Sequence, residues 1–213
     1  MSIISGTDEE KHEDNNTLAM NDFEFYSDAS GLSLNKNHQF HESGVVCLGI
    51  QNQQVWWYSE LLWPLNNTSN LNFYSQSSSL EAIGLFLPFL CMPDVLQGKS
   101  VIFWTDNSSL VYLWSKQKFF KQKPIYRLLE TLKQISTFLS VQVFVRHVTR
   151  RSNRWAKLVD NLSRKRTTNR FDQKAIGCAK KDIYQGILCQ WISQPEINLE
   201  DLLLNEICLK LKP

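Results

Sequence analysis

Three acidic residues fall where the sequence predicts elements to end or begin, and together they could hold a metal ion. Asp28 follows the strand-like residues 23–27, and Asp106 follows the short apolar run of residues 101–104. Glu81 falls in the first turn of a predicted amphipathic helix, for which residues 77–79 offer an N-cap ahead of Leu80. If the two strands are parallel neighbours, Asp28 and Asp106 emerge side by side at one sheet edge. Three such carboxylates repel unless a divalent cation holds them, and oxygen ligands favour Mg²⁺ or Mn²⁺.

The elements that would position these residues form an α/β pattern. Residues 23–27, 45–50 and 55–58 predict a strand followed by a β-hairpin. Residues 101–104 are wholly apolar, as in a strand covered on both faces, and residues 141–145 alternate as a last strand. One helix is predicted to follow an N-cap at residues 77–79 and to include residues 80–90, and a second to hold Leu110, Leu113 and Trp114. Further helices are predicted over about 125–139 and from near residue 152. This order predicts a mixed five-stranded sheet, three antiparallel strands and then two parallel ones, flanked by helices.

Length and composition predict one domain with appendages. The chain has 213 residues, of which 43% are hydrophobic and 21% are charged. Residues 1–20 are polar and acidic and predict a disordered tail, residues 21–166 predict the domain, and residues 167–213 predict a mostly helical extension. The longest apolar stretch, residues 85–92, is too short to span a membrane, and the five cysteines form no zinc or disulfide pattern. We therefore expect an intracellular protein, cytoplasmic or nuclear, with no membrane partner.

The charge of the chain is uneven although its net value is only +2. Residues 1–28 are acidic, whereas residues 116–181 are rich in Lys and Arg. Cations beside an acidic site suit a phosphate backbone, although a solvated charged face is the ordinary alternative. The predicted nucleic-acid-binding residues are Asn107, Lys116, Lys118, Lys121, Lys123, Arg150 and Arg151.

Four short motifs carry a resemblance to a known family. They are residues 26–30 (YSDAS), 80–82 (LEA), 105–107 (TDN) and 160–164 (DNLSR), with His147 and Asn153 before the last one. The ordered set resembles the ribonuclease H domains of reverse-transcribing elements, in the style of DIRS-like and gypsy-like retrotransposons. The resemblance implies a ribonuclease H-like fold and an endonuclease that hydrolyses RNA in RNA–DNA hybrids. It also implies, as a partner, a reverse transcriptase domain supplied elsewhere.

The resemblance also implies a role for each matching residue. Asp28, Glu81 and Asp106 would bind a pair of Mg²⁺ or Mn²⁺ ions about 4 Å apart. One ion would activate the attacking water and the other would stabilise the leaving 3′ oxygen, which leaves 3′-hydroxyl and 5′-phosphate ends. His147 matches a mobile histidine that assists water entry or product departure, whereas Asn153 is better explained as the cap of the last helix.

The fourth acidic residue departs from the family pattern. Counting from His147 or Asn153 places Lys157 where the last Asp is expected, and the DNLSR motif begins three residues later at Asp160. Three residues are close to one helical turn, which predicts roughly the same helix face for both. Either Asp160 is the fourth catalytic ligand, or the Lys157 ammonium takes the second metal position and leaves a weak or inactive enzyme.

Three functions follow from these observations. The first is the metal-dependent endonuclease. The second is a catalytically decayed ribonuclease H-like module that binds nucleic acid or a protein partner, which Lys157 favours. The third is another nuclease of the superfamily, an exonuclease or a transposase. It fits less well, because exonucleases place Asp and Glu two residues apart on the first strand, whereas Glu24 precedes Asp28 by four.

Overall fold

A computed structural model describes residues 21–30, 44–62, 77–116, 124–166, 168–183 and 199–211 of the chain. The strands are β1 (Phe23–Ala29), β2 (Gly44–Gln51), β3 (Gln54–Leu62), β4 (Ser100–Thr105), β5 (Gln142–His147) and β6 (Lys180–Ile183). The helices are α1 (Ser77–Gly84), α2 (Leu87–Cys91), α3 (Pro93–Leu96), α4 (Ser108–Lys116), α5 (Pro124–Phe138), α6 (Arg154–Ser163), α7 (Arg170–Gly177) and α8 (Leu199–Lys210). None of these helices is long and apolar enough to cross a membrane. The predicted tail of residues 1–20 lies outside the described residues.

The strands form one mixed sheet in the order β5-β4-β1-β2-β3-β6. Strands β1, β2 and β3 are antiparallel neighbours, whereas β4 pairs with β1 and β5 with β4 in parallel. The predicted mixed α/β sheet is therefore confirmed, but the described residues contain six strands, one more than predicted. The sixth strand, β6, pairs in parallel with β3. Its four residues, two of them lysines, show no apolar alternation, so no pattern predicts this edge strand.

Prolines divide the helical region before β4. The apolar spacing of residues 80–90 predicts one helix, but the structure contains α1, α2 and α3. The break lies at residues 85–86, where Leu85 and Phe86 donate to carbonyls three residues earlier. Pro88 follows immediately, and a proline inside a helix has no N–H to continue the ladder. Pro93 begins α3 in the same way.

Side chains from both faces of the sheet are buried. Phe25 and Phe103 belong to the core on the face covered by α1 and α5, and Tyr26 belongs to the core on the opposite face with residues of α6. Successive side chains of a strand alternate between faces. Ser27 therefore faces α1, and Asp28 faces α6. Cover on both sides also explains the nearly continuous apolar run of β2.

Helix α1 approaches β1 closely at a glycine. A Cβ on Gly84 would lie 2.0 Å from Ser27 Oγ and 3.0 Å from Val45 Cγ1. Ser27 immediately precedes Asp28, and the helix that ends at Gly84 carries Glu81. The contact therefore sets how close the two carboxylates come.

We expect Gly84→Ala to lower the free energy of unfolding by about 1–3 kcal/mol, as overpacked cores do, despite the better helix propensity of Ala. Urea unfolding would measure this. Gly177→Ala is the matched control, because a Cβ added there meets no atom within 4 Å. In a Ser27→Ala background the cost should shrink, since the nearest clashing atom is gone. An undiminished cost there would contradict this explanation.

Candidate active site

The three acidic residues meet at one edge of the sheet. Asp28 lies near the end of β1, Asp106 follows β4 directly, and Glu81 lies on α1. Tyr26 of β1 pairs with Trp104 of β4, so the two aspartates, each two residues further on, are level with each other. One carboxylate oxygen from each of Asp28, Glu81 and Asp106 lies within 4.8 Å of the others. We refer to these three residues as the acidic cluster.

Asp28 is the most buried member of the cluster. It is 2% exposed, and its Oδ2 accepts a hydrogen bond of 2.6 Å from Ser163 Oγ. Among the described residues, no group hydrogen-bonds its buried Oδ1. Burial raises the pKa of Asp28 to about 6, against the opposing hydrogen bond from Ser163 and the charge of Arg150. Ser163 belongs to the DNLSR motif, but nothing in the sequence predicted that it would hold Asp28.

Glu81 is fixed at both carboxylate oxygens. Its Oε2 accepts from Thr105 Oγ1 at 3.0 Å, and its Oε1 accepts from Asn107 Nδ2 at 3.2 Å. Burial raises the pKa of Glu81 to about 7, and the negative charge of Asp28 adds to the rise. Asn107 Oδ1 also accepts from the backbone N–H of Leu110 at 3.0 Å, which caps the start of α4. Asn107, predicted to bind nucleic acid, thus positions Glu81 and caps a helix in the structure.

An arginine lies among these carboxylates. Arg150, in the turn between β5 and α6, donates through Nε to Asp106 Oδ2 and through Nη1 to Asp160 Oδ1 at 2.5 Å. Its Nη2 lies 3.9 Å from Asp28 Oδ1, which is too far for a hydrogen bond. The sequence predicted Arg150 as a phosphate contact. In the structure its guanidinium contacts carboxylates of the acidic site.

Asp160 lies beside the cluster and is surrounded by arginines. The residue is 6% exposed. Besides Arg150, it accepts from Arg164 Nε at 2.7 Å, and Arg166 Nη1 lies 3.5 Å from its Oδ2. Its negative charge is therefore compensated by protein groups. No corresponding set of cations surrounds Glu81 among the described residues.

Comparisons of whole folds decide what kind of scaffold holds this site. Scans against protein-family models and curated proteins gave no match. A solved ribonuclease H1, LC11-RNase H1 from a compost metagenome, aligns over 68% of this chain and 97% of its own with a TM-score of 0.50 and 13% identity. The fold is ribonuclease H-like. Ribonuclease H1 from Halobacterium salinarum (TM-score 0.47, 10% identity, 64% of this chain and 92% of that one) gives a lower score. The complex of LC11-RNase H1 with an RNA/DNA hybrid also gives a lower score, with a TM-score of 0.49 and 10% identity over 67% of this chain and 96% of that one.

Helix α6 of the ribonuclease H-like fold carries both candidates for the fourth acidic position, and it places them differently. Lys157 lies on the exposed face of α6, whereas Asp160 is buried. The expectation that both residues share one face is wrong. Three residues turn an α-helix by about 300°, which is about 60° short of a full turn, and this difference places the two side chains on different faces. Asn153 caps this helix, as predicted, through hydrogen bonds from the N–H groups of Trp155 and Ala156.

Of the predicted site residues not yet placed, three lie in the described part of the chain: His147, Arg151 and Lys116. His147 is exposed at the end of β5. It pairs with Thr105, the residue that precedes Asp106. Arg151 is exposed in the turn before α6. Lys116 ends α4 with its ammonium 5.4 Å from the ring centre of Tyr112. Three further predicted cations, Lys118, Lys121 and Lys123, lie outside the described residues.

We expect Asn107→Ala to weaken metal binding by roughly 10–100-fold, as losing a hydrogen bond to a metal-binding side chain does. It should also cost about 1 kcal/mol of stability through the lost helix cap. Isothermal titration with Mg²⁺ and urea unfolding measure the two effects. Asn107→Ser separates them, because serine can cap α4 but its short side chain offers no amide to Glu81. Restored stability with restored metal affinity would contradict the positioning role.

Proposed function

We propose that this chain is a divalent-metal-dependent endonuclease that hydrolyses the RNA strand of RNA–DNA hybrids. One observation carries the proposal: in a ribonuclease H-like fold, Asp28, Glu81 and Asp106 bring ligand oxygens within 4.8 Å of one another. Two of these carboxylates are almost fully buried. Like charges held this close in a buried site favour a bound cation over separate ionisation.

The residues present fit a divalent metal ion. All three donors are carboxylate oxygens, the ligands that Mg²⁺ and Mn²⁺ prefer. Asp28 Oδ1 is buried and, within the described part of the chain, has no hydrogen-bond donor, as expected of an oxygen that binds a ligand. When bound, such an ion activates water and stabilises the leaving oxygen of a phosphodiester.

The chain itself supplies orientation and charge at this site. Thr105 and Asn107 hold Glu81 from two sides, and Ser163 holds Asp28. Such hydrogen bonds fix the direction of metal-binding oxygens. We propose that exposed His147 assists water entry or product departure at the end of β5. The exposed cations Lys116 and Arg151 are proposed to contact substrate phosphates.

The sequence motifs support a narrower origin. The order YSDAS, LEA, TDN and DNLSR resembles ribonuclease H domains of retroelements. We therefore propose that the chain derives from a retroelement polyprotein and that a reverse transcriptase domain supplied elsewhere is its partner. In that setting the substrate would be the hybrid left by copying RNA into DNA.

Cleavage of defined duplexes tests the function. An end-labelled RNA would be offered in an RNA–DNA hybrid, as an RNA duplex and as a single strand, with Mg²⁺, with Mn²⁺ and with EDTA. We expect metal-dependent cleavage of the hybrid alone, with 3′-hydroxyl and 5′-phosphate ends. Hybrid cleavage that continues in EDTA, or that is absent with both ions, would reject the proposal.

Arg150 favours a second candidate function. A guanidinium already bonded to Asp106 and Asp160 is compatible with a catalytically decayed module that binds nucleic acid or a protein partner. Such a module would bind the hybrid in a gel-shift assay without cleaving it in either metal ion. The cleavage assay therefore separates the two candidates directly.

A further inference from the structure

The four carboxylates of the site divide by their partners. Asp160 accepts hydrogen bonds from three arginines, and Asp106 accepts from one of them, Arg150. Among the described residues, the hydrogen-bond donors to Glu81 are both neutral, Thr105 and Asn107. The positive charge that the protein supplies is thus concentrated on the Asp160 side, and the side formed by Asp28 and Glu81 remains short of it.

Arg150 has the geometry of a bridging cation. Its Nε and Nη1 donate to carboxylates on two different elements, Asp106 after β4 and Asp160 on α6. The third nitrogen, Nη2, lies 3.9 Å from Asp28 Oδ1. The guanidinium is planar and permanently charged, so it can join carboxylates as a metal ion does without losing a proton. Its side chain is 38% exposed, so water screens these contacts in part, whereas the Asp28 side chain at 3% is shielded.

Asp160 has little capacity left for a metal ion. Its Oδ1 already accepts from Arg150 at 2.5 Å and from Arg164 at 2.7 Å. By contrast, Asp28 Oδ1 is buried and accepts no hydrogen bond from any residue that the structure describes. Asp28 also belongs to the acidic cluster, whose ligand oxygens lie within 4.8 Å of one another. Arginines therefore hydrogen-bond both oxygens of Asp160 and one oxygen of Asp106, whereas among the described residues none hydrogen-bonds Asp28 or Glu81. A cation bound among the oxygens that no arginine hydrogen-bonds would have Asp28, Glu81 and Asp106 as its ligands.

We propose that Arg150 takes the place of a second metal ion, so that the site binds one divalent ion through Asp28, Glu81 and Asp106. This inference rests on the proposed metal-dependent function and narrows it, because the family resemblance implies two ions. Arg150 and Asp160 then form a fixed ion pair that neutralises the site beside the metal, with Asp160 acting through Arg150 and not as a metal ligand.

Counting bound ions tests this inference without measuring activity. Mn²⁺ would be titrated into the full chain at about pH 8 by calorimetry and by electron paramagnetic resonance, which distinguishes single ions from spin-coupled pairs. We expect one uncoupled Mn²⁺ per chain. Arg150→Ala should bind a second Mn²⁺, whereas Arg150→Lys, which keeps the charge, should bind one. Arg146→Ala, at an exposed position of β5, is the control and should also bind one.

Two coupled ions in the unaltered chain would overturn the inference, as would no bound ion. A folded Arg150→Ala variant that still binds one ion would overturn it as well. If that variant does not fold, the count in the unaltered chain decides. Hybrid cleavage measured on the same samples distinguishes failure of this inference from failure of the proposed function. One bound ion without cleavage would reject the endonuclease proposal alone. Two bound ions with cleavage would reject only the role of Arg150.

Discussion

Replacing Asp28 with Asn is expected to lower the rate of hybrid hydrolysis by a factor on the order of 10³, because a metal ion contributes several kcal/mol to the transition state. Within the acidic cluster, Asp28 Oδ1 is the buried carboxylate oxygen that accepts no hydrogen bond from the described residues. An amide has the same shape but supplies no negative charge. The fold should survive, since Asn Oδ1 can still accept the hydrogen bond from Ser163.

Stability provides the internal check on this variant. At about pH 8 and without metal, Asp28→Asn should be at least as stable as the unaltered chain, since it removes one of several repelling, desolvated carboxylates. Thermal unfolding with EDTA measures this, and calorimetry should show that Mg²⁺ binding is lost. Asp94→Asn, at an exposed position on α3, is the matched control. Hydrolysis by folded Asp28→Asn at the unaltered rate would rule out Asp28 as a ligand.

The fold was largely predictable because its strands have strong patterns. The alternation of residues 23–27 and the apolar run of residues 101–104 reflect burial on both faces of a sheet, and the structure places β1 beside β4 in parallel. Strand β6 was not predictable, because it is held by pairing with β3 and by side-chain contacts such as Trp57 Nε1 to Asp182 at 2.8 Å. Such partners are distant in sequence and leave no local period.

Part of the site followed from the same logic. Two parallel strands end together, so the sequence alone predicts that Asp28 and Asp106 lie side by side. The position of the Arg150 side chain could not be predicted, since the residue lies in an irregular turn where no sequence period constrains the direction of a side chain. The choice between Lys157 and Asp160 depended on a rotation of about 60°, which is finer than a sequence pattern of helix faces resolves.

The unfolding free energy of the metal-free protein is expected to fall as pH rises from about 5.5 to about 8. Burial raises the pKa of Asp28 to about 6 and the pKa of Glu81 to about 7. The folded protein therefore keeps protons that the unfolded chain has already released above pH 4 to 5. Each retained proton lowers stability by up to about 1.4 kcal/mol per pH unit until the folded pKa is passed.

Mg²⁺ should reverse this trend, because it binds only the ionised carboxylates. Its affinity should rise by roughly tenfold or more between about pH 6 and about pH 8, as both groups lose their protons. At about pH 8 the ion should then stabilise the fold by mass action. Calorimetry at several pH values and urea unfolding with EDTA or Mg²⁺ measure the two effects.

The variant that carries both Asp28→Asn and Glu81→Gln isolates the source of the slope, because the contributions of groups distant from the site cancel when the two proteins are compared. Glu60 does not interfere. Burial raises its pKa, but hydrogen bonds from Lys165 and Tyr58 outweigh this and lower it to about 2, so its contribution changes only in acid. The unaltered chain should lose stability relative to the double variant as pH rises. Parallel stability curves for the two proteins in EDTA would mean that Asp28 and Glu81 are already ionised at pH 5.5, and the metal-free site would then hold its full negative charge without a metal ion.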